Sequence, residues 1–229
     1  MKISFLITVS SVLSLFVFQT PAFSQNDRSF IRDAIYEYGE CRNVAITKYN
    51  GDLMLYGDNG WAASGCPEGL TDALSELNDD GEYINDVQLT EAGSWIILYG
   101  DNGFRWYDIP YSLEQEIREY NDDGEEITSV TFNDAGDWIL ISKAYYSASD
   151  SRVLEWMKEG SEDYGQIWAA CITDDAMVVV YERGYKFLGN VPDSLKEALG
   201  DTSLDIYRVK IAGTSWFIAD KYGRYDYIM

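Results

Sequence analysis

The chain has 229 residues, 46% of them hydrophobic and 15% aromatic, with a formal net charge of −22 and no histidine. That apolar content is enough to fill a core and excludes a disordered chain, while so acidic a balance argues against nucleic acid and anionic lipid surfaces as partners. The missing histidines remove Ser-His and Cys-His nucleophile pairs, imidazole bases and most catalytic zinc sites.

In chain order, Met1-Lys2 leads into an apolar run from Ile3 to Phe18, then Pro21 and the small-residue exit Ala22-Phe23-Ser24. This reads as a secretory signal peptide over residues 1–24, cut before Gln25. A retained membrane anchor is the competing reading, but the run is shorter than the ~20 residues a span needs and carries several serines. Residues 25–229 are then expected to form a single secreted or periplasmic domain, not inserted in a membrane and monomeric. Three cysteines follow, Cys41, Cys66 and Cys171. In an oxidising compartment an odd number leaves one thiol free or bonded between molecules. Cys41 and Cys66 flank the first strand segment and are the expected disulfide, and Cys171 reads as a small core residue.

An internal repeat organises the rest. Short alternating segments, Val44-x-Ile46, Val87-x-Leu89, Val130-x-Phe132, Ala170-x-Ile172 and Val209-x-Ile211, each precede a turn and a longer apolar run, at intervals of about forty residues. Alternation at period two marks a strand with one buried face. A hairpin turn comes next, best seen where Tyr56-Gly57-Asp58-Asn59-Gly60 recurs as Tyr99-Gly100-Asp101-Asn102-Gly103. A third strand follows, then a helix opened by Pro67, Pro110 or Pro192, with apolar residues at helical spacing such as Leu113, Ile117 and Tyr120. Gly81, Gly124 and Gly200 are expected to close these helices. The copy from Asp150 to Lys158 lacks the proline and still reads as a helix, with Glu159 to Asp163 as a solvated loop behind it.

One unit is therefore strand, strand, strand, helix, repeated five times: a mainly β chain with helices. The last unit ends at Met229 without a helix, whereas Ile31, Ile35 and Tyr38 repeat the spacing of Leu113, Ile117 and Tyr120 ahead of the first strand. A helix donated from the N-terminus would complete the fifth unit and close a ring. The alternative, an open solenoid, wants polar capping repeats, which the sequence does not display.

The run from Glu126 to Ile141, with Asn102-Gly103-Phe104-Arg105-Trp106-Tyr107-Asp108, resembles the first three strands of a tryptophan-aspartate repeat propeller blade. The likeness covers a little over half of each unit. The family's Gly-His pair is absent, and a helix stands where the fourth, outer strand belongs. The resemblance implies a five-bladed β-propeller-like ring with helices on its rim and says nothing about chemistry, since such folds host scaffolds, lectins and enzymes.

Candidate functional residues are few. Trp95, Trp138 and Trp216 occupy one position of the repeat, so packing accounts for them better than ligand stacking. The third strand varies more between units, and Arg105, Trp106 and Tyr107 in the second are the candidate ligand-binding residues. No catalytic residue and no metal ligand is assigned. Asp58-Asn59 and Asp101-Asn102 offer oxygen atoms to calcium, but turn formation explains them and neither matches an EF-hand loop. The expected function is a non-catalytic binding module for a protein or glycan. A carboxylate glycoside hydrolase with acids in a central channel and a purely structural extracellular domain are the alternatives.

Overall fold

A computed structural model describes residues 28–229; the expected signal peptide lies outside the described residues. Helix α1 (Ser29–Tyr38) comes first. Five units follow, each a three-stranded antiparallel meander: β1 (Asn43–Ile46), β2 (Asp52–Tyr56) and β3 (Gly60–Ser64); β4 (Ile84–Leu89), β5 (Trp95–Tyr99) and β6 (Gly103–Tyr107); β7 (Ile127–Phe132), β8 (Trp138–Ser142) and β9 (Tyr146–Ala148); β10 (Ile167–Ile172), β11 (Ala176–Tyr181) and β12 (Gly184–Gly189); β13 (Ile206–Ala212), β14 (Ser215–Asp220) and β15 (Tyr225–Ile228). Helices α2 (Glu68–Asp79), α3 (Tyr111–Asp122), α4 (Ser151–Tyr164) and α5 (Asp193–Asp201) connect successive sheets.

The centres of the middle strands are apolar on both faces because both are buried. Their period of two deals alternate residues to opposite neighbours. In β5, Trp95 and Ile97 face back toward α2 and the first sheet, while Ile96 and Leu98 face forward to α3 and the third. In the same way Leu53 and Leu55 of β2 pack with α2, whereas Met54 packs with α1 and with Phe217 and Ala219 of the fifth sheet. Every helix thus fills the wedge between two sheets, α1 between the fifth and the first. The first strands also touch in succession, β1 with β4, β4 with β7, β7 with β10, β10 with β13, and β13 with β1.

Comparing units position by position exposes one recurrent contact. Trp95 stands opposite Leu89, Trp138 opposite Phe132 and Trp216 opposite Ile211, at the trailing end of each first strand. Each belongs to the same core as the leucine three residues after Pro67, Pro110 or Pro192. Trp138 Nε1 donates to Ser112 Oγ and Trp216 Nε1 to Ser194 Oγ, both at 2.9 Å; Gly69 takes the serine's place beside Trp95. Two units depart from the pattern. At the junction of α1 with the first sheet, Arg28 stands in the proline's place and Asp52 in the tryptophan's, and the two form a buried ion pair. At the junction of α4 with the fourth sheet the residues are Asp150 and Met177.

Several expectations need correction. Residues 159–163 are helix, not loop, because Gly160 sits in the middle of α4. Its missing side chain admits the Tyr181 ring, whose hydroxyl a Cβ would overlap and which donates to Met157 O at 3.3 Å. Gly200 lies within α5 and closes nothing, whereas Gly81 and Gly124 do take positive φ just past their helices. In the hairpin turns the left-handed residues are Gly57 and Gly100, not the asparagines or the glycines that follow them. Gly60 and Gly103 are required instead by the Tyr56 and Tyr99 rings lying over them.

The expected Cys41–Cys66 disulfide is absent, and all three cysteines are free. An odd number of antiparallel strands delivers the chain to the end of the sheet opposite its entry. Cys41, ahead of β1, therefore packs toward α1, while Cys66 lies past β3, its Sγ 3.4 Å from Asp52 O at the far end. Cys171 is buried as expected, and burial pushes its thiol up to about 11.

Candidate functional site

The candidate residues of the third strand do not converge. Arg105 points toward α2, where Nη1 meets Glu76 Oε2 at 2.5 Å. Trp106 points the other way, stacked on Phe104 with ring centroids 4.8 Å apart and covered by the Arg118 guanidinium at 5.1 Å. Successive residues of a strand must face opposite sides, so the run of sequence that looked like one surface is two. Tyr107 is 62% exposed. Asn59 and Asn102 also have structural work: their backbone carbonyls accept from Asn78 Nδ2 at 3.0 Å and Asn121 Nδ2 at 3.1 Å, docking each turn on the end of the following helix. Among the described residues no group of three or more cysteine or carboxylate side chains is placed to hold a metal ion.

The residues that do converge come from the first strands. Lys210 of β13 reaches β4, where Nζ donates to Asp86 Oδ1 at 2.9 Å, Val87 O at 3.0 Å and Gln88 Oε1 at 3.2 Å. Asn43 Nδ2 of β1 adds a fourth contact, 2.6 Å from the same carboxylate oxygen. Lys210 and Asp86 are both buried. A buried pair survives only when its remaining hydrogen-bonding capacity is met, and here Val87 O and Gln88 of β4, Asn43 of β1 and the Val130 N–H of β7, 3.4 Å from Asp86 Oδ2, meet it. Asp86 is an acid carried on a first strand. The signal available was a charged residue at the alternating position of Val209-Lys210-Ile211.

Beside this cluster, the leading ends of the first strands open a cavity of about 420 Å³. In four units the register slips there, at Asn85, Thr128, Trp168 and Tyr207, which turns the strand ends outward. Two guanidinium groups stand among them. Arg208 donates to Thr128 O at 3.2 Å, Tyr207 O at 2.7 Å and Asn85 O at 3.0 Å. Arg42 donates to the Tyr83 hydroxyl at 3.0 Å, Asp58 O at 3.0 Å and Ile84 O at 3.1 Å. Its Nε is buried with no hydrogen-bond partner among the described residues. All of these acceptors are neutral oxygens. Burial lowers the Arg42 pKa from its ordinary value, and the nearby Arg208 charge adds to that pull against the opposing influence of Tyr83 and Asp58.

Aromatic rings frame the same cavity. Arg42 lies 4.5 Å from the centre of the Tyr83 ring, Lys221 lies 5.6 Å from Tyr207 and 5.2 Å from Tyr222, and Tyr207 stacks on Trp168 at 4.8 Å. Tyr83 and Tyr222 are exposed. Of the four acids lining it, Glu126 is paired with Lys143 and Asp220 with Arg224, Glu40 accepts from Gly57 N at 2.7 Å, and Asp58 acts on Arg42. Neither Arg42 nor Arg208 forms a salt bridge with a carboxylate among the described residues, although Asp58 lies near Arg42.

Neither a family model nor a curated protein matches the chain. Among solved structures it is similar to PorZ, an essential bacterial surface component of the type-IX secretion system of Porphyromonas gingivalis, at 10% identity and a TM-score of 0.31, over 82% of this chain. The chain spans 33% of that protein's length. No helix among the described residues is long and apolar enough to cross a membrane.

Proposed function

We propose that the five units close into a propeller-like ring, sealed by α1, and that the chain is a secreted or periplasmic, non-catalytic binding module whose ligand is an acidic glycan. The cyclic succession of first-strand contacts supports closure. The observation that carries the ligand class is the pair Arg42 and Arg208, whose hydrogen bonds end on neutral oxygens, beside the exposed rings of Tyr83 and Tyr222. Aromatic faces suit sugar rings, and a guanidinium fork suits a carboxylate or sulfate.

The hydrolase alternative requires two carboxyl groups facing a substrate. Asp86, the acid on a first strand, is buried and held by Lys210 and Asn43, which disfavours that reading. The test is an array of uronic-acid, sulfated and neutral glycans probed with residues 25–229. Binding confined to acidic glycans, and lost at least about tenfold in Arg42→Gln and Tyr83→Ala without change in the circular dichroism spectrum, is the expected result. Equal binding to neutral glycans, or none at all, overturns it. Sequencing the N-terminus of the exported chain tests the signal peptide, with Gln25 expected as the first residue.

A further inference from the structure

The junction between the third and fourth sheets is hollow. A cavity of about 540 Å³ opens there, walled by Val153, Trp156, Met177 and Leu188, with Asp150 and Ser149 at its edge. These are the positions at which the repeat has been edited. Where other units present Pro110 and Trp138, or Pro192 and Trp216, this one presents Asp150 and Met177. The residue in the leucine's place is Val153, half-buried, whereas Leu70, Leu113 and Leu195 are fully buried. Leu188, on the wall, is 54% exposed. The indole of the fourth unit's own middle strand and the leucine beneath it are both replaced, and the cavity is flanked instead by Trp138 of the third sheet and Trp156 of α4.

We infer that this cavity receives an aromatic side chain presented by a basic segment of a partner protein. The molecule itself supplies the shape, because the sister junctions hold an indole between the same two elements. Methionine suits the exchange, since its flexible thioether adapts to an incoming ring and makes favourable sulfur–aromatic contact. The volume lies within the range of pockets that bury a ligand, roughly 300–1,000 Å³. The rim supplies the charge. Asp137, Asp174 and Asp175 line the opening with Asp150. The one cation among the lining residues, Arg152, is already engaged by Asp150, with Nη2 2.5 Å from Oδ2. Asp175 is bonded by neutral groups, Thr173 Oγ1 at 3.2 Å and Asn190 Nδ2 at 3.4 Å. An aromatic anchor flanked by Lys or Arg satisfies both walls and rim, and this site is separate from the guanidinium-lined cavity.

The experiment uses residues 25–229 labelled with ¹³C at the methionine methyls and titrated with the peptide acetyl-Lys-Lys-Gly-Trp-Gly-Lys-Lys-amide. A saturable ring-current shift of the Met177 methyl is expected. Exchanging the peptide's Trp for Ala should weaken binding at least about thirtyfold, the size of an anchor residue's contribution. Met177→Trp, which fills the hollow from within, should abolish binding. Asp174→Lys, at an exposed turn where folding is not at stake, should weaken it by up to about fivefold. The inference is overturned if the Met177 methyl does not move, if the Ala peptide shifts it equally, if free indole binds as tightly as the peptide, or if Asp174→Lys has no effect while a neutral-flanked peptide binds as well. None of these outcomes depends on glycan binding.

Discussion

At two of the five junctions the proline–tryptophan contact has been replaced, and the replacements run in opposite directions. At the junction of α1 with the first sheet, Arg28 and Asp52 restore a filled, fully buried contact by exchanging an apolar pair for an ionic one. At the junction of α4 with the fourth sheet, Asp150 and Met177 leave a hollow of about 540 Å³. The first places its acid and its base face to face. The second turns its acid outward, where Asp150 caps α4 by accepting from Arg152 N at 2.8 Å. What differs is whether the two substituted positions remain complementary to each other. Complementarity keeps a junction closed, and its loss frees a wall for an outside partner.

The largest effect is expected of Asp52→Ala, which removes the buried carboxylate partner of Arg28. It should cost about 3–5 kcal/mol, seen as a lower midpoint in urea with an unchanged slope. Replacing both partners with apolar residues of similar volume should cost much less. Next, Trp216→Met carries the hollow junction's residue into a filled one and should cost about 2–3 kcal/mol, whereas the reciprocal Met177→Trp should leave thermal stability unchanged or raised. Ser112→Ala leaves the Trp138 indole N–H without its acceptor and should cost about 1–2 kcal/mol, visible as a shift in the thermal midpoint.

The smallest effect concerns pH. The Arg152 guanidinium, with help from the Arg152 backbone N–H, holds Asp150 down at about 2. A carboxyl whose folded pKa is depressed contributes stability above its unfolded value of about 3.9 and loses it as pH falls through the folded value. Asp150→Asn should therefore flatten the acid limb of the stability curve between about pH 4 and pH 2. Asp150 lies at the surface, so salt should shrink the difference.

Local periodicity made the units legible, because each middle strand and each helix writes its own burial into two- and three-to-four-residue spacing. The equivalence of Trp95, Trp138 and Trp216 was visible for the same reason, and the strand register places all three at one position. What escaped was set by distance along the chain. Lys210 meets Asp86 across 124 residues, and no local pattern couples them. Arg42 and Arg208 likewise find their acceptors on other units, so only assembly reveals that they share a cavity. Gly160 misled in another way. A glycine among charged residues reads as a breaker, and its purpose is set by Tyr181 on the neighbouring sheet. The cysteine pairing failed on topology, since nearness in sequence says nothing about which end of a sheet each residue occupies.

The side chains that β13 sends inward also bear on how the molecule comes apart. Stacked repeats that touch only their neighbours melt piecewise, each loss leaving the remainder intact. Here Lys210 and Arg208 fasten the fifth unit to β4 in the second, and Arg208 also to β7 in the third. Detaching the fifth unit would leave Asp86 charged, buried and without its counter-ion in the second, so local fraying carries a global penalty. Heating should thus give one calorimetric transition whose van't Hoff and measured enthalpies agree, and proteases should find either the whole fold or none of it.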